Sequence, residues 1–294
     1  MEFKQLKSYV AVVKYGSFTK AAERLYVSQP TISAHISALE EELKRTLIVR
    51  TTKSIEVTEK GMEIYEYAVR ILELRDRMIG ACEEKGEHII YLGASTIPSA
   101  YILPEILPEF GKLFPNTYFS IHQSDSQGVI EGLLEGMFDI GLVGMKTEEN
   151  LVCIPFCRDR IVLITPVNEY FLKLKEEQET PLKELLKQPF IIREEGSASG
   201  KSASRFLESM GMTEESLHVT ARINDQETIK NLVAGGLGIS FISEKAVKNF
   251  VEEKRLLQFE LPVQNERNLY LAYRKDEDLK SYVKEFVNFI KKKY

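Results

Sequence analysis

Cysteine is scarce in this chain: Cys82, Cys153 and Cys157 are the only three among 294 residues. That is too few for a disulfide framework and fits a reducing compartment. No apolar run reaches the roughly 20 residues of a membrane span. The opening Met1-Glu2-Phe3-Lys4-Gln5 lacks the basic start and apolar stretch of a secretory signal. The expectation is a cytoplasmic protein with no membrane partner. Histidine is nearly as sparse. His35, His88, His122 and His218 are scattered, none at metal-ligand spacing with cysteine or acid, so no metal and no cofactor are expected. An enzyme needs a converging nucleophile, base and electrophilic group. No such set is visible, so no catalytic residue is assigned and no enzyme is expected. Cys153 and Cys157 lie four apart on an expected strand and can share a face, with Arg158 and Arg160 beside them. Inert buried thiols are the simpler reading than a redox pair. Gly235-Gly236-Leu237-Gly238 falls between a helix and a strand, the wrong order for a dinucleotide fingerprint.

What is present describes a globular protein of two or three domains: 44% apolar residues and 28% charged ones. A net charge of −5 argues against a nucleic-acid partner, but its distribution does not. Residues 1–60 hold ten Lys/Arg against seven Glu, a net +3, so with −5 overall the remainder is net −8. A basic segment on an acidic body attracts phosphates to one face.

That segment reads as three short helices and a ribbon. Phe3, Leu6, Val10 and Val13 recur at helical spacing. Gly16-Ser17 stops this helix, and Ala21, Ala22 and Leu25 face inward on the next. Ser28 caps a third helix whose first turn tolerates Pro30. Its buried stripe is Ile32, Ile36, Leu39 and Leu43, leaving Pro30, Thr31, Ala34 and Ser37 outward with Gln29 and Ser33 at the edges. Such a helix can enter a major groove. Gln29 suits an adenine edge, Thr31 and Ser33 a base or phosphate, and Ala34 a thymine methyl. Leu47-Ile48-Val49 and Ile55-Glu56-Val57 make a wing that places Arg50 and Lys53 for phosphate contact. From periodicity alone a three-helix module that binds protein remains open.

Gly16-Ser17-Phe18-Thr19-Lys20-Ala21-Ala22-Glu23-Arg24-Leu25, Val27-Ser28-Gln29-Pro30-Thr31-Ile32-Ser33 and Ile36-Ser37-Ala38-Leu39-Glu40-Glu41-Glu42-Leu43 are similar to the signature of LysR-type transcriptional regulators. Leu47-Ile48-Val49-Arg50-Thr51 and Val57-Thr58-Glu59-Lys60-Gly61 continue the match without gaps over some fifty residues. The resemblance implies a sequence-specific regulator that binds double-stranded DNA. Family members commonly carry arginines where this chain has Ala34 and Ser37, so a target sequence does not transfer.

From Thr58, a candidate cap, to about Glu84 there is no proline. Tyr65, Ala68, Leu72, Ile79 and Cys82 form one apolar row, and Ile64, Ile71 and Met78 a second. Such a wide apolar face must be covered, either by its own domain or by a second copy. The resemblance favours pairing, because LysR-type proteins place their dimerising linker helix here. It implies a homodimer or homotetramer held through Tyr65, Ala68, Leu72 and Ile79, with a hinge at residues 83–87.

Beyond His88 strands alternate with helices, the pattern of an α/β domain with a parallel sheet. Residues 126–143 align without gaps on 225–242, at an offset of 99, each copy a polar cap, helix, glycine stop and apolar strand. Two similar lobes joined by crossover strands resemble the type-2 periplasmic binding protein fold, which LysR-type regulators use to bind an effector. The expected architecture is therefore an N-terminal winged helix-turn-helix (1–58), a linker helix (59–87) and an α/β effector domain (88–294). Lobe I takes 88–162 and 268–294, and lobe II takes 163–267. A free-standing solute-binding protein does not explain residues 1–60, and a catalytic α/β enzyme lacks its nucleophile and base.

A small-molecule effector is expected between the lobes, where helix N-termini offer free N–H groups that suit an anion. Ser95, Thr96 and Ser99 follow the first strand. Ser126 and Asn224 lie at the caps of the two repeats, and Ser197 and Ser199 in a hydroxyl-rich loop. Any one of these serines can equally be a helix cap, as Asp125 and Asp225 are expected to be. Arg193 or Lys201 can add a cation. Ser95-Thr96-Ile97-Pro98 and Arg193-Glu194-Glu195-Gly196-Ser197 resemble regulators of sulfur- or selenium-related metabolism, which implies a sulfur-containing effector.

Overall fold

The first helix, α1 (Phe3–Tyr15), stops at Gly16, whose φ of +62° suits a residue without a Cβ. Ser17 then caps α2 (Phe18–Leu25), its Oγ accepting the N–H of Lys20 at 3.3 Å. Ser28 caps α3 (Gln29–Leu43) through Thr31, with Pro30 in the first turn. The computed structural model describes residues 1–50, 55–82, 88–147, 150–177, 181–261, 266–276 and 278–294. The chain divides into two units, Met1–Lys85 and Gly86–Tyr294; the expected hinge at 83–87 lies outside the described residues.

In the first unit Tyr9, Val12, Ala21, Ile32, Ile36 and Leu39 form a closed core. A two-stranded wing follows, β1 (Ile48–Arg50) antiparallel to β2 (Ile55–Val57). Glu40 Oε1 accepts the N–H groups of Leu47 at 2.7 Å and Ile48 at 3.1 Å, tying α3 to the wing by charge-assisted bonds. Thr58 caps α4 (Glu59–Cys82), accepting the N–H of Gly61 at 2.9 Å. Gly61 is needed for close approach: Tyr9 donates to its carbonyl at 2.6 Å, and a Cβ there would lie 2.3 Å from the Leu47 carbonyl oxygen.

The expected pairing face of α4 also meets its own domain. Ala68 is 1% exposed, and Tyr65 and Leu72 pack against the same core as α1. Of the four residues read as the partner-facing seam, Ala68 is thus covered by its own domain, and Tyr65 and Leu72 are partly covered. Ile79 remains exposed, as do Tyr67, Ile71, Leu74 and Met78.

The second unit opens with β3 (His88–Ser95), a π-helical turn at Pro98–Ile102, α5 (Leu103–Leu113), β4 (Thr117–Ser124), α6 (Ser126–Leu134) and β5 (Ile140–Val143). A sixteen-residue strand, β6 (Leu151–Pro166), follows. Next come α7 (Glu169–Lys175), α8 (Leu182–Leu185), β7 (Pro189–Arg193), α9 (Ala198–Ser209) and β8 (His218–Ile223). The chain continues through α10 (Gln226–Ala234), β9 (Ser240–Ser243), α11 (Glu244–Glu252) and β10 (Leu256–Phe259) to β11 (Glu266–Arg274) and α12 (Ser281–Lys293). The expected strand and helix positions hold in outline.

β3 runs parallel to both β4 and β5, while β11 is antiparallel to β5 and to the first ten residues of β6. The last six residues of β6 pair with β9 and β10 instead. One strand therefore serves both lobes, and the expected boundaries at 162/163 and 267/268 fall inside β6 and β11. Val129, Leu133 and Phe138 pack around α6, and Phe190, Leu163 and Phe259 fill the second lobe. Phe110, Leu92 and Phe286 belong to the largest cluster.

The repeat is real in three dimensions but offset by 100, not 99. Asp125 and Asp225 cap α6 and α10, Gly136 and Gly236 carry the positive φ that ends each helix, and β5 begins one hundred residues before β9. The offset of 99 maximised identities, but caps and buried positions set the register of a helix, and these coincide only at 100. Cys153 and Cys157 also depart from expectation. Leu269 faces Cys157 and Tyr270 faces Pro155, so Phe156 is an extra residue in β6. That bulge breaks the two-residue alternation, and the thiols pack into different clusters. Burial pushes the Cys157 thiol above its ordinary range, which suits an inert side chain.

Candidate DNA-binding and effector sites

On α3 the inward stripe leaves Gln29, Pro30, Ala34 and Ser37 exposed and Thr31 and Ser33 partly so. Thr31 Oγ1 lies 2.8 Å from Ser28 Oγ, so its hydroxyl is partly engaged in the cap. Sequence reasoning passed over Tyr26, which ends α2 at a φ of 55° and is 96% exposed. Arg50 ends β1; Lys53 lies outside the described residues, as does the side chain of Arg50.

The second site is a small cleft between the lobes, with a free volume of about 10 Å³. Five of the seven residues expected there line it: Ser95, Thr96, Ser126, Ser197 and Ser199. Ser99, in the π-helical turn, and Asn224, exposed before α10, do not. Lys201 is also absent from the lining; it reaches toward Met145. The cleft forms where β3, α6 and α9 bring a strand end and two helix starts together.

Its hydroxyls are mostly committed as acceptors. Ser126 Oγ accepts the N–H of Gly144 at 3.1 Å, Thr96 Oγ1 that of Gln226 Nε2 at 3.1 Å, and Ser197 Oγ that of Gly200 at 3.2 Å. Ser197 Oγ and Ser199 Oγ lie 2.9 Å apart, so one of their two protons is spent between them, while the rotatable hydroxyls of Thr96 and Ser126 keep a proton to donate. Serine as cap and serine as ligand group are thus the same residue at Ser197.

The cations were the larger omission. Arg193, at the end of β7, has a side chain 2% exposed and is held by Glu194 through Nε at 3.1 Å and Nη2 at 2.6 Å. Arg267, on β11, faces Asp159 across the ladder and spends Nε and Nη2 on Asp159 Oδ2, at 2.9 and 2.7 Å. Ser243 donates to the other oxygen of Asp159 at 2.7 Å. Both guanidinium groups line the cleft, and Nη1 of each is buried with no hydrogen-bond partner among the described residues. A buried charged donor left unmade is costly, so two of them in one cleft mark a place where an acceptor belongs. Arg193 was legible as a possible cation; Arg267, some seventy residues from the serine loop, gave no local signal.

Asp125 lines the same cleft while capping α6. Across from it the Asp125 carboxylate packs closely on the Gly196 backbone, where a Cβ would lie 1.8 Å from Oδ2. The two lobes therefore meet at this contact.

Residues 3–62 match the family model described as "Bacterial regulatory helix-turn-helix protein, lysR family", and residues 84–294 the one described as "LysR substrate binding domain". An uncharacterized HTH-type transcriptional regulator of Methanocaldococcus jannaschii is 34% identical over 292 residues, 97% of each chain. The HTH-type transcriptional regulator CysL of Bacillus subtilis is 29% identical over 252 residues, 84% of this chain and 82% of that one. Among solved structures, the LysR family transcriptional regulator CbnR superposes with a TM-score of 0.73 at 21% identity, covering 99% of both chains. Full-length CbnR complexed with its target DNA gives 0.71 at 21% identity over the whole of each.

Proposed function

We propose, for a chain that belongs to the LysR family of transcriptional regulators, that a small anion bound between the lobes of its C-terminal domain controls how its N-terminal domain engages an operator. The chain is a DNA-binding regulator with a winged helix-turn-helix and a substrate-binding domain, and not an enzyme. What supports the anion is one observation: Arg193 and Arg267 line one cleft, and Nη1 of each is buried with no hydrogen-bond partner among the described residues. Such a ligand regulates only if it binds one arrangement of the lobes better than the other.

Calorimetric titration with small anions, sulfur oxyanions among them, and with neutral metabolites tests this. Thr96→Val keeps the shape, removes one donor from the wall and strips Gln226 of its hydrogen bond to the Thr96 hydroxyl. It should weaken effector binding by about 1–3 kcal/mol and leave DNA affinity nearly unchanged. Tight binding of a neutral compound, undiminished in Thr96→Val, would show that both ligand class and site are misassigned.

For DNA, α3 lies in the major groove with Gln29, Pro30, Thr31, Ser33, Ala34 and Ser37 toward the bases, and Arg50 and Lys53 reach phosphates from the wing. Affinity should fall steeply with salt as counterions are released. Arg50→Ala flattens that dependence at every sequence, whereas Gln29→Ala changes preference at one base pair by about 1–3 kcal/mol. A binding-site selection on both variants at two salt concentrations separates the roles; identical effects of the two would contradict them. Two half-sites need two recognition helices, so the working form is a homodimer, or two paired as a homotetramer, in the cytoplasm.

A further inference from the structure

Asp125 is the one member of the cleft that a simple anion site does not call for. Its Oδ1 accepts the N–H of Gly128 at 2.7 Å, while Oδ2 accepts from no described residue. The carboxylate is pinned between that cap and the backbone at Gly196. An ionised carboxylate accepts hydrogen bonds and donates none. Facing it, a fully deprotonated anion sets acceptor against acceptor and charge against like charge. An anion that carries an O–H or N–H makes a charge-assisted hydrogen bond there instead. The two arginines do not override this, since each is already paired with a carboxylate, Glu194 or Asp159. They contribute directed N–H groups and little surplus charge.

We propose that the ligand is an oxyanion bearing a donatable proton, gripped by Nη1 of Arg193 and Nη1 of Arg267 and selected by Asp125. This rests on the anion reading of the cleft and adds the discrimination within it. Inorganic phosphate, at a pH where it is the hydrogen-phosphate dianion, and sulfate form a matched pair: same shape, same charge, one with a proton and one without. Glycolate and acetate form a second pair for carboxylates. Calorimetric titration of the full chain should show the donor-bearing member binding at least about tenfold tighter in whichever pair binds. Asp125→Asn keeps an oxygen for the Gly128 cap and offers an amide donor, so it should bring that ratio to one or reverse it. Equal binding within a pair by the natural chain, or an unchanged ratio in Asp125→Asn, overturns this proposal and leaves the anion reading standing. Binding of none of the four compounds removes the anion reading, and this one with it.

Discussion

Arg193→Met is expected to abolish the response to effector while leaving the effector-free protein folded and able to bind DNA. The methionine fills the volume of the arginine stem and removes the buried, unpartnered Nη1 of a cleft-lining residue. Losing one buried, charge-assisted contact to an anion costs about 2–5 kcal/mol, which is more than about thirtyfold in affinity. The partner left behind, Glu194, is 25% exposed and can turn to water, so the fold should tolerate the change. Arg267→Met is the instructive contrast. It removes the matching Nη1 but also strands Asp159, whose side chain is fully buried and keeps only Ser243 as partner. Breaking a buried pair from one side costs about 3–5 kcal/mol of stability. Both variants should therefore lose effector in a calorimeter, but only Arg267→Met should show a large drop in melting temperature. Effector affinity unchanged in Arg193→Met would remove the cleft as the sensing site.

The difference between these arginines also shows what the sequence can and cannot reveal. Caps are local: Ser17, Ser28, Thr58, Asp125, Ser197 and Asp225 each bond a backbone N–H three residues on. Residue type and spacing alone pointed to most of them, and the helical stripe of α3 was readable for the same reason. Arg267 is informative only once β11 lies beside β6 and sets it opposite Asp159, a pairing across 108 residues. Nothing in Glu266-Arg267-Asn268 announces it. The same limit explains the thiols, because a single bulged residue in β6 reverses which face Cys157 takes relative to Cys153. It also explains the repeat: identities favoured one offset, whereas the caps and glycine stops that define the fold lie one residue away. On α4, two apolar rows were visible, but which row its own domain would cover depended on where α1 packs.

That last point decides how assembly should be probed. Tyr67, Ile71, Leu74 and Met78 recur at steps of four, three and four, the spacing of a helix-pairing seam. Leu74 is 60% exposed and Met78 62% in the single chain. If the working dimer forms along this row, Leu74→Asp buries an unpaired carboxylate in each half of the interface, which costs several kcal/mol per charge. An exposed position changes the stability of its own unit by no more than about 0.5 kcal/mol. Light scattering should then find a folded monomer where the natural chain is a dimer or tetramer. Affinity for a two-half-site duplex should fall at least about a thousandfold, since each 1.4 kcal/mol is a factor of ten. Ala68→Asp provides the control, because Ala68 is buried against its own domain and the change should unfold the helix-turn-helix itself. Leu72→Asp mixes the two effects, as Leu72 is half-buried on that core. An oligomer that survives Leu74→Asp and Met78→Asp together would mean that α4 pairs through another face, or that the chain assembles through its effector domain alone.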